Sequence, residues 1–525
     1  MESLADTQWD VTISGTGLAQ SLLALALSRS GKKVLHVDKN SYYGGPAAAF
    51  SIQEAQEWVD SLQKEPGREP FEDVSIYSPA DAADGGKKLS SSRAYSLSLS
   101  PQLVYTRSKL LPTLVSSKVY RQLEFQAIGS WWIYGNSPAA AEDGSPANDQ
   151  LRRVPSSRED IFADDKISMK AKRMLIRFLR TINQPQQTGE DLEQPHTVEE
   201  DDSDMPLSEY LNAKFNAPPE LHDAIHSLSL CQQAPHQTRA NVALPRIRRH
   251  LGSLGVFGPG FASLLAKWGG GAEIVQVGCR ALAVGGGVYV LGQGVQSIDT
   301  SKAEDESCYL LTLSSGERIR SKYVVGSLWD LPAEAGHPPI ATDKVSRSIS
   351  LISSPLQSLF PVTAEGGPVP AGAVVLVPSE TLSSVTADVA PIYLLVHSSE
   401  TGECPDGQCV IYGNVSIPGK EGQHILEIAI EYLLASLTNA NDKPTVLWSL
   451  RFTQVGVLET SGSPTGICKS TKSDDILFFS PSSLDLAFDD RIVEGVREGW
   501  KAILGEEAHD DMFMNFEDRE AYDDD

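Results

Sequence analysis

A Rossmann-like α/β fold interrupted by a mostly helical insertion is predicted by three features of this 525-residue chain. The first is a strand-turn-helix-strand unit at its start. Trp9-Asp10-Val11-Thr12-Ile13-Ser14 reads as a buried strand, Gly15-Thr16-Gly17 as a turn, Ser21 to Leu27 as a helix, and Val34-Leu35-His36-Val37 as a second strand running into Asp38. The second is a run of segments with helical spacing between Asp164 and Leu230. The third is a return to strand patterns in the C-terminal half. Together they give an FAD/Rossmann-like multi-sheet domain with an inserted, mostly helical domain. The expected boundaries are 1–135 for the first part of domain I, 136–240 for the helical domain II, 241–505 for the second part of domain I, and 506–525 for an acidic tail.

The opening turn is a nucleotide fingerprint without its third glycine. In a working site that glycine lets helix and strand pack closely, the pyrophosphate rests on the helix N-terminus, and an acid at the end of the second strand holds the ribose hydroxyls. Gly15, Gly17 and Asp38 stand at the right places, but Gln20 puts a long polar side chain where the third glycine belongs. The fold is expected from these residues and cofactor binding is not, so the three are read as vestigial.

The elements follow in order. Tyr95 to Leu99 alternates, Lys109 to Val119 is helical, and Gly129 to Tyr134 is a strand. The apolar series Ile167, Met174, Leu175, Phe178, Leu179 and Ile182 marks a helix, with two more at Leu207 to Phe215 and Pro218 to Leu230. Gly260 to Trp268 reads as a helix. Strands are expected at Lys322 to Ser327, Pro391 to His397, Gln408 to Tyr412 and Val446 to Gln454, and helices at Gln423 to Leu437 and Asp489 to Leu504.

Composition narrows the function. A net charge of −25 argues against nucleic acid or an anionic membrane as the main partner and favours a basic one. The acidic stretches Glu199 to Asp204 and Glu506 to Asp525 read as solvated disorder. There is no long apolar run and no basic, apolar leader, so a cytoplasmic protein is expected. Six scattered cysteines do not make a disulfide framework. Cys404 and Cys409 read as reduced thiols in a surface turn, and no zinc site is expected.

Asp38-Lys39-Asn40-Ser41-Tyr42-Tyr43-Gly44-Gly45, with the preceding Gly15-Thr16-Gly17-Leu18 and Gly31-Lys32-Lys33-Val34-Leu35-His36-Val37, resembles the N-terminal block of the Rab escort protein and Rab GDP-dissociation inhibitor superfamily. Gly269 to Leu291 resembles a later block of the same superfamily, with Glu273 and Arg280 held seven residues apart. Val154 to Phe162 and Lys172 to Leu179 resemble the escort branch more than the inhibitor branch. Matching blocks cover about a third of the chain, in the family's order.

The resemblance implies a flavoprotein-like scaffold with no cofactor and no catalytic residue. It places Tyr43, Arg93, Glu273 and Arg280 on a surface that receives GDP-bound Rab GTPases. It assigns the helical domain, with Met174, Phe178 and Ile182, to the geranylgeranyl lipid and to docking of the Rab geranylgeranyltransferase α/β heterodimer. Periodicity alone favours a closed helical core there. Burying a twenty-carbon prenyl chain is worth at most roughly 16 kcal/mol, at about 0.8 kcal/mol per CH2, and a carrier must open an apolar slot between helices to collect it. Transient, peripheral membrane contact during delivery is implied as well. Gly278 departs from the family, which generally carries a phenylalanine there, at a position tied to transferase contact. The alternative reading, an FAD-dependent oxidoreductase of amine-oxidase-like fold, rests on the same strand, turn and acid, but no catalytic set accompanies them.

Overall fold

The structure is a computed structural model that describes residues 4–64, 69–79, 88–135, 150–155, 161, 167–183, 204–299, 308–382, 390–439, 442–459 and 466–517. Its principal helices are α1 (Leu18–Arg29), α2 (Ile52–Lys64), α3 (Leu110–Ser116), α4 (Met169–Asn183), α5 (Leu207–Phe215), α6 (His222–Ser227), α7 (Ala240–Ser253), α8 (Gly271–Val284), α9 (Gly419–Leu437) and α10 (Arg491–Leu504).

Two large sheets carry the fold. The first is built on five parallel strands in the order Val288–Leu291, Val34–Asp38, Gln8–Ser14, Arg318–Gly326 and Ile476–Phe479. Val11 and Ile13 face α1, α8 and α10, in one core with Leu23, Val277 and Trp500. Leu35 and Val37 face the opposite way, toward Ile319 and Val324. This period-2 division buries both faces, as a parallel sheet requires. The Leu- and Ala-rich α1 is buried along most of its length, from Gln20 to Ser28. It stops at Gly31, whose φ of +77° is open to glycine at no steric cost.

The second sheet has ten strands and alternates just as cleanly. Val375, Val377, Leu394 and Ile411 pack under α9. Val374, Leu376, Tyr393 and Tyr412 point to the other side, into a core shared with the helical group. There α7 packs against α4, α5 and α6. The Tyr393 hydroxyl donates to the Cys231 carbonyl at 3.0 Å, and Asn414 Nδ2 donates to Gln232 Oε1 at 2.7 Å, tying the helical group to the sheet. Helix α7 lies beyond residue 240, where the sequence placed the return to domain I.

Several expectations need correction. Gly260 to Trp268 is not a helix: Ser263–Ala266 is a strand between Phe125–Tyr134 and Val104–Tyr105, so sheet pairing overrides local propensity. Cys404 and Cys409 are not in an exposed turn. Both are buried, and burial, reinforced at Cys404 by the adjacent Glu403, pushes that thiol up to about 12. The tail is folded as far as residue 517. Phe513 and Met514 are buried, Phe513 lies 5.5 Å from the Trp500 ring, and Phe516 N donates to the Ser116 carbonyl. Three apolar side chains outweigh the acidic composition there. Residues 199–203 and 518–525 of the acidic stretches lie outside the described residues, as does most of the Val154 to Phe162 block.

Candidate functional site

The nucleotide turn closes on itself. Asp38 Oδ2 accepts hydrogen bonds from Thr16 N at 2.7 Å and Thr16 Oγ1 at 2.6 Å, and its Oδ1 accepts from Asn40 N at 2.8 Å. The carboxylate that would hold a ribose thus holds its own loop. Gly15 has φ +89°, and a β-carbon on it would lie 2.5 Å from the Asp330 carboxyl. A β-carbon on Gly17 would lie 2.5 Å from Gln20 Oε1. Gln20 Nε2 in turn donates to Asp330 Oδ2 at 3.0 Å. Side chains of this chain therefore occupy the space that the two glycines leave open.

The cleft beside the turn keeps about 130 Å³ of room for water, between α1, Lys39, Glu69 and Phe479. Its electrostatics oppose an anion. Burial, with the Asp38 carboxylate next in weight, pushes Asp330 up to about 7, against the smaller opposing effects of Ser327 and Lys39. Lys39 is paired with Glu69. The N-terminus of α1 lines the cleft, but a pyrophosphate there would lie beside the Asp330 and Asp38 carboxyls and against the Gln20 side chain, which disfavours a dinucleotide. Among the described residues no group of His, Cys, Asp and Glu could hold a metal ion, and no helix is long and apolar enough to cross a membrane.

A second group of residues converges next to this turn. Gly44, with φ +97°, turns the chain after Tyr43. The strand Val288–Leu291 pairs with Val34–Asp38 and sets Tyr289 beside Tyr43, ring centroids 6.0 Å apart. Helix α8 supplies Glu273 and Arg280 two turns apart. Arg280 Nη2 reaches Glu273 Oε1 at 4.0 Å, with the guanidinium 56% exposed and the carboxylate 16%. Such a pair, half in water, contributes little to stability. Burial raises Glu273 and the Arg280 charge opposes the rise. Burial and then the Tyr289 hydroxyl raise Tyr43, while Arg280 lowers it, which places all three in one electrostatic neighbourhood.

Arg93 is exposed on the short Ser92–Ala94 turn, on a different element from the other three. It connects to them through the backbone: Ser96 Oγ donates to the Trp268 carbonyl at 2.7 Å, and Gly269 packs on Ala49 and Ser96 just ahead of α8. Met174, Phe178 and Ile182 are buried, with Phe178 5.3 Å from the Phe215 ring in an edge-to-face contact. They form a closed core, the arrangement that spacing alone favours. Sequence reasoning missed Tyr289, Trp268 and Asp330. Tyr289 stands in a block already singled out, whereas Asp330 is 310 residues from Gln20 and nothing local announces their pairing.

The fold and the turn define a class: a flavoprotein-type scaffold whose nucleotide turn is filled by its own side chains. An oxidoreductase of Methanosarcina mazei shares that fold, with a TM-score of 0.54 at 13% identity over 94% of this chain and 99% of the other. A Rab GDI from Plasmodium falciparum superposes with a TM-score of 0.63 at 18% identity, covering 96% of this chain and 99% of that one. Residues 5–369 match the family model described as GDI, GDP dissociation inhibitor, and the chain belongs to that family. It is 30% identical over 431 residues to a Saccharomyces cerevisiae protein named Rab proteins geranylgeranyltransferase component A. That match takes in 82% of this chain and spans 65% of the yeast protein's own length.

Proposed function

We propose that this protein is a Rab escort protein. It binds Rab GTPases in the GDP state, presents them to the Rab geranylgeranyltransferase α/β heterodimer for prenylation of their C-terminal cysteines, and delivers the product to membranes, with inhibitor-like retention of GDP. The observation that carries the reading is the pairing of a filled nucleotide turn with a polar surface beside it: Gln20 and Asp330 over the glycines, and Tyr43, Glu273 and Arg280 on the adjoining loop and helix. Family membership and the name of the yeast relative support it.

On this reading the chain makes and breaks no covalent bond. It supplies affinity, orientation and a high local concentration of Rab cysteines at the transferase. Half-exposed charges such as Arg280 set specificity and encounter rate more than raw affinity. The helical group collects the geranylgeranyl chain by parting around Met174, Phe178 and Ile182, at the cost of opening a packed core, which the burial of the lipid offsets. We place its C-terminal limit at Ser253, because α7 packs with α4 to α6. The protein works in the cytoplasm and touches membranes transiently, without nucleic acid as a partner.

The test is reconstitution with purified transferase, labelled geranylgeranyl diphosphate and GDP-loaded Rab. Incorporation of label that depends on this chain is expected. Equal incorporation without it, or a yellow protein with a flavin absorption band, would favour a different function.

A further inference from the structure

We propose that Trp268 is an aromatic anchor of the docking surface, inserting into the bound GTPase; this rests on the escort reading above. Trp268 has φ +60°, a left-handed conformation that is strained for a bulky L-residue. Leu230, Leu356 and Met514 share such a φ, and each is at least 95% buried, so core packing accounts for them. Trp268 is 42% exposed. Its own burial does not explain why the chain holds it there.

The seat is nevertheless built. Trp268 N donates to the Thr401 carbonyl at 2.9 Å, and its own carbonyl accepts from Ser96 Oγ. The indole lies over Gly402, where a β-carbon would come within 2.5 Å of Cδ1, so that only glycine leaves room for the ring. The turn that holds it is itself pinned: His397 Nδ1 and Glu403 Oε2 are 2.6 Å apart and fully buried, and the Thr401 hydroxyl also donates to Glu403. Strain held in place by surrounding structure points to function.

The position is continuous with the candidate surface. Trp268 precedes Gly269 and Gly270, which lead into α8 with Glu273 and Arg280, and Ser96 ties it to the turn that bears Arg93. Lys267 Nζ, paired with Glu124 at 3.3 Å, lies 4.9 Å from the indole centroid. A lysine ammonium beside a half-exposed indole suits a partner face with an apolar recess bordered by a carboxylate. Tryptophan on a rigid support is the residue type most often found to dominate such interfaces.

The experiment is calorimetric titration of the full chain with a panel of GDP-loaded Rab GTPases, alongside thermal melting, for wild type, Trp268→Gly, Gly402→Ala and Arg280→Glu. Glycine accepts φ +60° without strain, so Trp268→Gly removes the ring while relieving the backbone. Trp268→Gly is expected to lower affinity about tenfold or more with a melting temperature close to wild type. Gly402→Ala, which displaces the ring and leaves its chemistry intact, is expected to lower affinity as well. Wild-type affinity in both, while Arg280→Glu binds weakly, would overturn the role of Trp268 and leave the escort reading standing. No binding by wild type would overturn the escort reading and this inference together.

Discussion

Gln20 donates its side-chain amide to the Asp330 carboxylate across 3.0 Å, and the pair closes the nucleotide turn over Gly15 and Gly17. A residue that first reads as a missing glycine is half of a lock whose other half follows the neighbouring strand, Arg318–Gly326, of the parallel sheet.

The lock is pH-dependent. Asp330 is raised from 3.8 to about 7, so between those values the native state holds a proton that the unfolded chain releases. Stability therefore falls as pH rises through that window. Asp330→Asn is expected to raise the melting temperature by about 2–4 °C at pH 8 and to leave it nearly unchanged at pH 4. Equal shifts at both pH values would contradict the raised carboxyl.

Acid works through the histidines. Burial holds His250 down to about 3 between the Trp131 and Tyr105 rings, holds His226 down to about 4, and lowers His36, which bonds to the Gly15 carbonyl at 2.7 Å. Below about pH 6.5 the unfolded chain takes up protons that the native state refuses, costing about 1.4 kcal/mol per pH unit for each histidine. Urea unfolding at pH 7.5, 6 and 5 is expected to show this decline. His250→Leu should make it shallower by about one proton, and an unchanged slope would count against the assignment.

Gly278 sits inside α8, and a β-carbon on it meets nothing within 4 Å. Alanine there gains helix propensity without a clash. Gly278→Ala is expected to stabilise the protein by about 0.5–1 kcal/mol in denaturant unfolding. A loss of stability would mean that the position is more crowded than the geometry indicates.

Much of the parallel sheet was legible in the sequence. Trp9 to Asp38 announces strand, turn, helix and strand within thirty residues, because each contact in that unit is local. The helices that pack on it were legible where apolar spacing ran long, as at Gln423 to Leu437. The strand Ser263–Ala266 was not, since four residues between two distant partners carry no period of their own. Helix α7 was missed as well, its spacing interrupted by Pro245. Of the candidate site, Tyr43, Glu273 and Arg280 were found through their matched blocks. Tyr289, Trp268 and Asp330 became visible only once strand register and backbone conformation were known.

The escort reading stands or falls most directly on the affinity of the full chain for GDP-loaded Rab, measured for wild type and Arg280→Glu. Wild type is expected to bind and the charge reversal, which sets two carboxylates beside each other on α8 and removes the exposed cation, to bind at least about tenfold more weakly while still folded. Equal affinity in the two proteins, or none in wild type, would contradict it.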